Sequence, residues 1–204
     1  MENNISISAG SVTLDGKMEF QGESRGVVIT HPHPLYGGSM NNNVVGSLQR
    51  AFRSAGYATL RINFRGVGQS SGDFDEGIGE QEDVLSALSF FKNQGVSSLA
   101  LAGYSFGAWV NSKISSPEGL FLSVWVSPPI AFLDMPLDQI KLLPGLIVAG
   151  DRDDLCPLPT LKTLVSQLAP PPAFEILPGT DHFFWGKEHV LEEKIKEFLI
   201  QLPG

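Results

Sequence analysis

Cysteine is almost absent: the 204 residues hold one, Cys156. A lone thiol closes no internal bridge, so nothing in the chain demands an oxidising compartment. Cations are also scarce. Fourteen Lys and Arg stand against 22 Asp and Glu, a formal net charge of −8, and no basic run gathers them. That balance argues against nucleic acid or an anionic membrane surface as a partner. No apolar stretch approaches the roughly 18 residues of a spanning helix. Met1-Glu2-Asn3-Asn4 has neither the basic region nor the apolar stretch of a signal peptide, so a cytoplasmic location is expected. Internal repeats and low-complexity tracts are missing, and Ala169-Pro170-Pro171-Pro172-Ala173 reads as a short stiff connector. No His/Cys/carboxylate spacing suits a metal, and the glycines of 65–72 are not followed by the Lys-Ser/Thr of a phosphate cradle. Neither a metal nor a cofactor is expected.

What is present is an ordinary globular composition, 42% hydrophobic and 18% charged, long enough for a sizeable core in one domain spanning 1–204. Residues 5–23 alternate apolar and polar, and Asp15-Gly16 between two runs predicts a hairpin turn in an antiparallel edge. From residue 26 onward strands alternate with helices. Strands are expected at 26–30, 57–64, 97–102, 120–126, 145–149 and 173–177. Helices are expected at 42–55, 79–93, 106–115, 158–168 and 187–201. This order predicts an α/β protein with a mostly parallel twisted sheet, helices on both faces and right-handed crossovers. The loops at the strands' C-terminal ends then carry the chemistry.

One stretch organises those loops. Leu99 to Ala102 is an apolar strand that runs into Gly103-Tyr104-Ser105-Phe106-Gly107, and a helix pattern follows at once. Strand, tight Gly-x-Ser-x-Gly turn and helix are the context of a nucleophile elbow. The turn would hold the Ser105 hydroxyl above the sheet and put the Phe106 N–H at a helix N-terminus, facing a developing anion. Acyl transfer also needs an imidazole base and a carboxylate to orient it. An acid in 151–154 (Asp151, Asp153 or Asp154) and then His182 follow Ser105 in the order Ser…Asp…His. Asp181 is expected to be a turn residue, His189 a surface helix residue and Cys156 a small buried one. His31 and His33 are expected to shape their loop by hydrogen bonds.

Four segments in register carry a resemblance over about 26–201. They are His31-Pro32-His33-Pro34-Leu35-Tyr36-Gly37-Gly38, Arg65-Gly66-Val67-Gly68-Gln69-Ser70, Gly103-Tyr104-Ser105-Phe106-Gly107, and Gly150-Asp151-Arg152-Asp153 with Pro157. The chain resembles a small α/β-hydrolase of the compact, lidless bacterial group related to dienelactone hydrolases and serine esterases. It departs from the dienelactone hydrolases in having Ser where their nucleophile is Cys. The resemblance implies an α/β-hydrolase fold, selects Asp153 as the acid three residues after Gly150, and gives Leu35, with Tyr36 next, as the second oxyanion donor beside Phe106. Only Ser127 to Pro144 is available for a lid, which is too short for a cap domain. A shallow open site is therefore expected, walled by Tyr36, Trp109, Ile130, Phe132, Leu133, Phe183, Phe184 and Trp185. Of these Tyr36, Ile130, Phe132 and Phe183 are assigned to substrate. No Lys or Arg cluster lies near these loops, so the expected substrate is a small neutral short-chain ester, cleaved through an acyl-enzyme. A peptidase or thioesterase with the same triad, or a non-catalytic binding protein on the same fold, are the alternatives. Nothing in the sequence decides between monomer and homodimer.

Overall fold

The computed structural model describes residues 1–115, 117–142 and 144–202, so Leu143, in the expected loose segment, lies outside the described residues. Eight strands form one sheet: β1 (Asn3–Ala9), β2 (Val12–Glu19), β3 (Arg25–Thr30), β4 (Ala58–Ile62), β5 (Ser98–Tyr104), β6 (Leu120–Val126), β7 (Leu146–Gly150) and β8 (Ala173–Leu177). Their spatial order is β1-β2-β4-β3-β5-β6-β7-β8. β1 and β2 pair antiparallel, as do β2 and β4, and every later pair is parallel. The helices are α1 (Asn43–Ser54), α2 (Gly79–Asn93), α3 (Phe106–Ser112), α4 (Leu158–Gln167) and α5 (Glu188–Gln201). Among the described residues no helix is long and apolar enough to cross a membrane.

Alternation along the parallel strands divides the core, because successive side chains leave opposite faces. Val27, Ile29, Ala100, Ala102, Val124 and Val126 pack with α1 and α5. Val28, Leu99 and Leu101 pack with α2 and α3 on the other face, and there Trp125, Ile147 and Ala149 meet α4. Covered on both faces, these strands need the continuous apolar runs seen in the sequence.

The antiparallel edge forms, but its turn is not at Asp15-Gly16. Ala9 pairs with Val12, so the reversal falls on Gly10-Ser11, with Gly10 at φ 62°. Only glycine enters that region without a Cβ penalty. Asp15 and Gly16 lie inside β2, where the Asp15 carboxylate accepts from Asn63 Nδ2 at 3.0 Å. Two other ends differ in extent: α3 stops at Ser112, and β4 is confined to Ala58–Ile62.

The loop after β4 is built around an ion pair. Arg65 forks onto Asp83 of α2, with Nη2 to Oδ1 at 2.9 Å, and the Arg65 backbone N–H donates to Asp83 Oδ2 at 2.9 Å. Asp83 is fully buried, so the fork keeps an otherwise uncompensated charge paired. Between β6 and β7 the described residues hold one turn of 3-10 helix, Leu137–Gln139, and no cap domain.

Candidate active site

β5 lies between β3 and β6 and ends at the elbow. Ser105 sits at φ 54°, ψ −118°, a strained conformation for a side-chain-bearing residue. The turn is tolerated because its flanks are glycine. A Cβ on Gly103 would lie 2.6 Å from the Ala108 nitrogen, and one on Gly107 would lie 2.8 Å from the His31 carbonyl oxygen. The elbow therefore presses α3 against the ends of β3 and β5, and Ser105 is left facing the loops beyond the sheet.

Two of those loops complete a relay. Asp153 follows β7 and His182 follows β8. Ser105 Oγ lies 2.9 Å from His182 Nε2, and His182 Nδ1 lies 2.9 Å from both Asp153 oxygens. All three side chains are buried. Asp153 Oδ1 also accepts the Leu155 and Cys156 backbone N–H groups at 2.9 and 2.8 Å. Burial alone would raise the Asp153 pKa. The hydrogen bond and charge of His182, with the Cys156 amide, outweigh it and hold the carboxyl below its ordinary range. With Asp153 ionised, His182 Nδ1 carries the ring proton, and Nε2 is free to accept from Ser105. Behind the imidazole, Tyr104 donates its hydroxyl to the His182 carbonyl at 2.7 Å.

Asp151, Asp181, His189 and Cys156 take supporting places, and Asp154, expected to shape the turn with Asp151, is exposed and makes no side-chain hydrogen bond among the described residues. Asp151 Oδ1 accepts from Thr180 N–H, and Asp181 Oδ1 from Phe183 N–H. His189 is a surface residue bonded to Glu193. Cys156 is fully buried, and burial pushes its thiol pKa up.

The second amide is corrected. Leu35 N–H donates to His33 Nδ1 at 3.3 Å, and Tyr36 N–H donates to the His33 carbonyl at 3.1 Å, because Pro34–Tyr36 is a turn of 3-10 helix capped by His33. Both amides are thus engaged. The His33 N–H has no acceptor among the described residues, and neither has Phe106 N–H, which lies in the first turn of α3. The His33 ring packs 4.8 Å from the Phe106 ring, and both residues line the same cleft. The signal was legible: Pro32 has no N–H, and His33 is the first amide after it.

That cleft has a volume of about 500 Å³. Tyr36, Phe132, Leu133 and Phe183 line it as expected, together with Pro129 and Leu155, which the sequence reading missed. Four expected wall residues do not. Ile130 lines a separate depression against α4. Trp109 turns toward Gly77 and donates to the Asp134 carbonyl. Phe184 is fully buried against α1 and α5, and Trp185 is exposed outside the cleft.

No protein-family model matches the chain. An uncharacterised protein of Rickettsia prowazekii (strain Madrid E) is 37% identical over 190 residues, 87% of this chain and 79% of that one. An α/β serine hydrolase homologue from Coxiella burnetii superposes with a TM-score of 0.88 at 33% identity, covering 97% of each chain. The chain belongs to the α/β-hydrolase superfamily. A serine hydrolase from Xanthomonas campestris described as lacking a lid matches this hydrolase with a TM-score of 0.91 at 28% identity, over all of this chain and 96% of that one.

In this hydrolase His31 is a fastener. It is fully buried, its Nδ1 lies 2.6 Å from the Pro32 carbonyl, and its Nε2 accepts the Phe64 N–H at 3.0 Å. That pattern requires the neutral ring protonated on Nδ1, and it ties the loop after β3 to the end of β4. Burial pushes the His31 pKa down to about 4. Below its ordinary value the unfolded chain takes up a proton that the native ring refuses until about pH 4. Stability is therefore lost as pH falls through that window, by about 3 kcal/mol from this group. Urea midpoints measured between pH 7.5 and 4 are expected to fall, and the fall is expected to be shallower in His31→Gln. Equal slopes in both proteins would refute the assignment.

Proposed function

We propose that this hydrolase is a serine carboxylesterase acting through an acyl-enzyme, with Ser105 as nucleophile, His182 as base and acid, and Asp153 as the orienting carboxylate. The observation that carries the reading is the continuous relay of 2.9 Å contacts from Asp153 through His182 to Ser105, opening on an apolar cleft. Ser105 Oγ attacks the ester carbonyl as its proton passes to His182 Nε2. The carbonyl oxygen becomes an anion, held by the His33 and Phe106 amides. Each such donor is typically worth about 3 kcal/mol. The intermediate collapses, and the alcohol leaves with the proton from His182. Water then enters, gives its proton to the same nitrogen, and repeats the sequence to release the acid. No side chain of Lys or Arg lines the cleft, which supports an uncharged substrate.

The test is hydrolysis of a p-nitrophenyl ester series together with fluorophosphonate labelling. Turnover of acetate and butyrate with a burst, and label on Ser105, are expected. The specificity constant should fall once the acyl chain outgrows the cleft. A preference for long chains would overturn the short-chain assignment, and labelling without ester turnover would transfer the same triad to thioesters or amides. Neither label nor turnover would refute the catalytic reading.

A further inference from the structure

The two walls of the cleft differ in chemistry. Pro129, Phe132, Leu133 and Leu155 make one wall apolar. The opposite wall, from His33 to Asn42, carries two side chains whose orientation is fixed by capping bonds. His33 Nδ1 accepts from Leu35 N–H, so the neutral ring has its proton on Nε2. Burial lowers the His33 pKa, which favours that neutral form. Asn42 is the N-cap of α1. Its Oδ1 accepts from Val44 N–H at 2.9 Å, which settles the amide orientation and leaves Nδ2 as a free two-proton donor. Among the described residues neither His33 Nε2 nor Asn42 Nδ2 has a protein acceptor, and neither is sealed away from solvent.

The position of Asn42 relative to the reacting bond follows from its neighbour. Asn43 Nδ2 donates to the Phe183 carbonyl at 2.9 Å, so the start of α1 stands beside the residue that follows His182. His182 returns the proton to the departing alcohol, so the alcohol part of the ester lies on that side. We infer that Asn42 is a specificity-determining residue: its Nδ2 donates to a neutral oxygen acceptor, an ether, hydroxyl or carbonyl, in the alcohol part of the substrate. The natural ester then has an oxygen-bearing alcohol rather than a plain alkyl one.

This inference rests on the esterase reading, and the experiment separates the two. Pentyl butyrate and 3-methoxypropyl butyrate differ by one methylene replaced with an ether oxygen. A wholly apolar cleft favours the pentyl ester by at least about fourfold, since the ether loses a buried methylene and desolvates an oxygen with no donor. With the Asn42 hydrogen bond, wild type is expected to reverse that order and favour the methoxypropyl ester about threefold in kcat/KM, measured by pH-stat. Asn42→Ser keeps a capping oxygen and replaces the amide donor with a hydroxyl on a shorter side chain, drawn back to the cap. Asn42→Asp keeps Oδ1 and replaces the donor with an acceptor. Both are expected to bring the ratio below one, whatever happens to the absolute rates, whereas a purely structural role would lower both esters together. Fluorophosphonate labelling of each variant reports whether its site is assembled. Hydrolysis of neither ester by wild type would overturn the esterase reading. Hydrolysis of both with the pentyl ester preferred, or a ratio unmoved in an assembled variant, would overturn the role of Asn42 alone.

Discussion

Ser105→Ala is expected to lower kcat for p-nitrophenyl butyrate by about 10⁴- to 10⁶-fold and to abolish fluorophosphonate labelling. The substitution removes the only atom that can bond to the acyl carbon, while His182, Asp153 and the two amides stay in place. The backbone at residue 105 keeps its positive φ because Gly103 and Gly107 still admit the elbow, so the folded protein is expected to survive. What activity remains measures the amides and the cleft acting on water. A second substitution in the relay is then expected to cost almost nothing further, because members of one catalytic unit are not additive. A Ser105→Ala protein that keeps even a tenth of wild-type turnover would remove Ser105 from the mechanism.

Asp153→Asn is expected to cost about 10⁴-fold in kcat, and the hydrogen bonds around it say why. Oδ1 receives two backbone N–H groups, from Leu155 and Cys156, so the oxygen of an introduced amide must take that position. The NH₂ then occupies the place of Oδ2, facing His182 Nδ1. Nδ1 also lies 2.9 Å from Oδ1, but that oxygen already accepts two N–H groups, so a donor at the Oδ2 position favours the tautomer with the ring proton on Nε2, the nitrogen that must take the proton of Ser105. The variant keeps its shape and holds the wrong tautomer. Asp151→Asn and Asp154→Asn alter a turn and an exposed side chain, and are expected to stay within a few-fold of wild type. Steady-state rates of the three variants decide the acid. Loss confined to Asp151→Asn or Asp154→Asn would reassign it.

Much of this site was legible because it depends on local chemistry. Gly-x-Ser-x-Gly between an apolar strand and a helix specifies a turn with a steric reason for each glycine. Ser105, Asp153 and His182 lie at the C-terminal ends of β5, β7 and β8, where an alternating strand–helix pattern had to put them. Selecting Asp153 over Asp151 and Asp154 took a family resemblance, since composition treats the three alike. The hairpin was misplaced because Asp15-Gly16 has the composition of a turn. The side chains that demand extension there, Ile62 and Arg61 opposite, arrive about 45 residues later.

The sequence by itself determined the class of the fold, the order of its elements and the chain order of Ser105, Asp153 and His182. Periodicity and backbone sterics act between neighbours, and they need nothing from the rest of the chain. The tertiary structure decided which amides remain unpaired and which side chains face the cleft. The Leu35 and Tyr36 amides are engaged in a 3-10 turn that His33 caps, so the free donor is one turn earlier. Trp109 and Ile130 belong to other surfaces because Gly77 and α4 offered them closer packing. Loop side chains follow no period. Where each points is settled by competition among contacts that only the folded chain brings together.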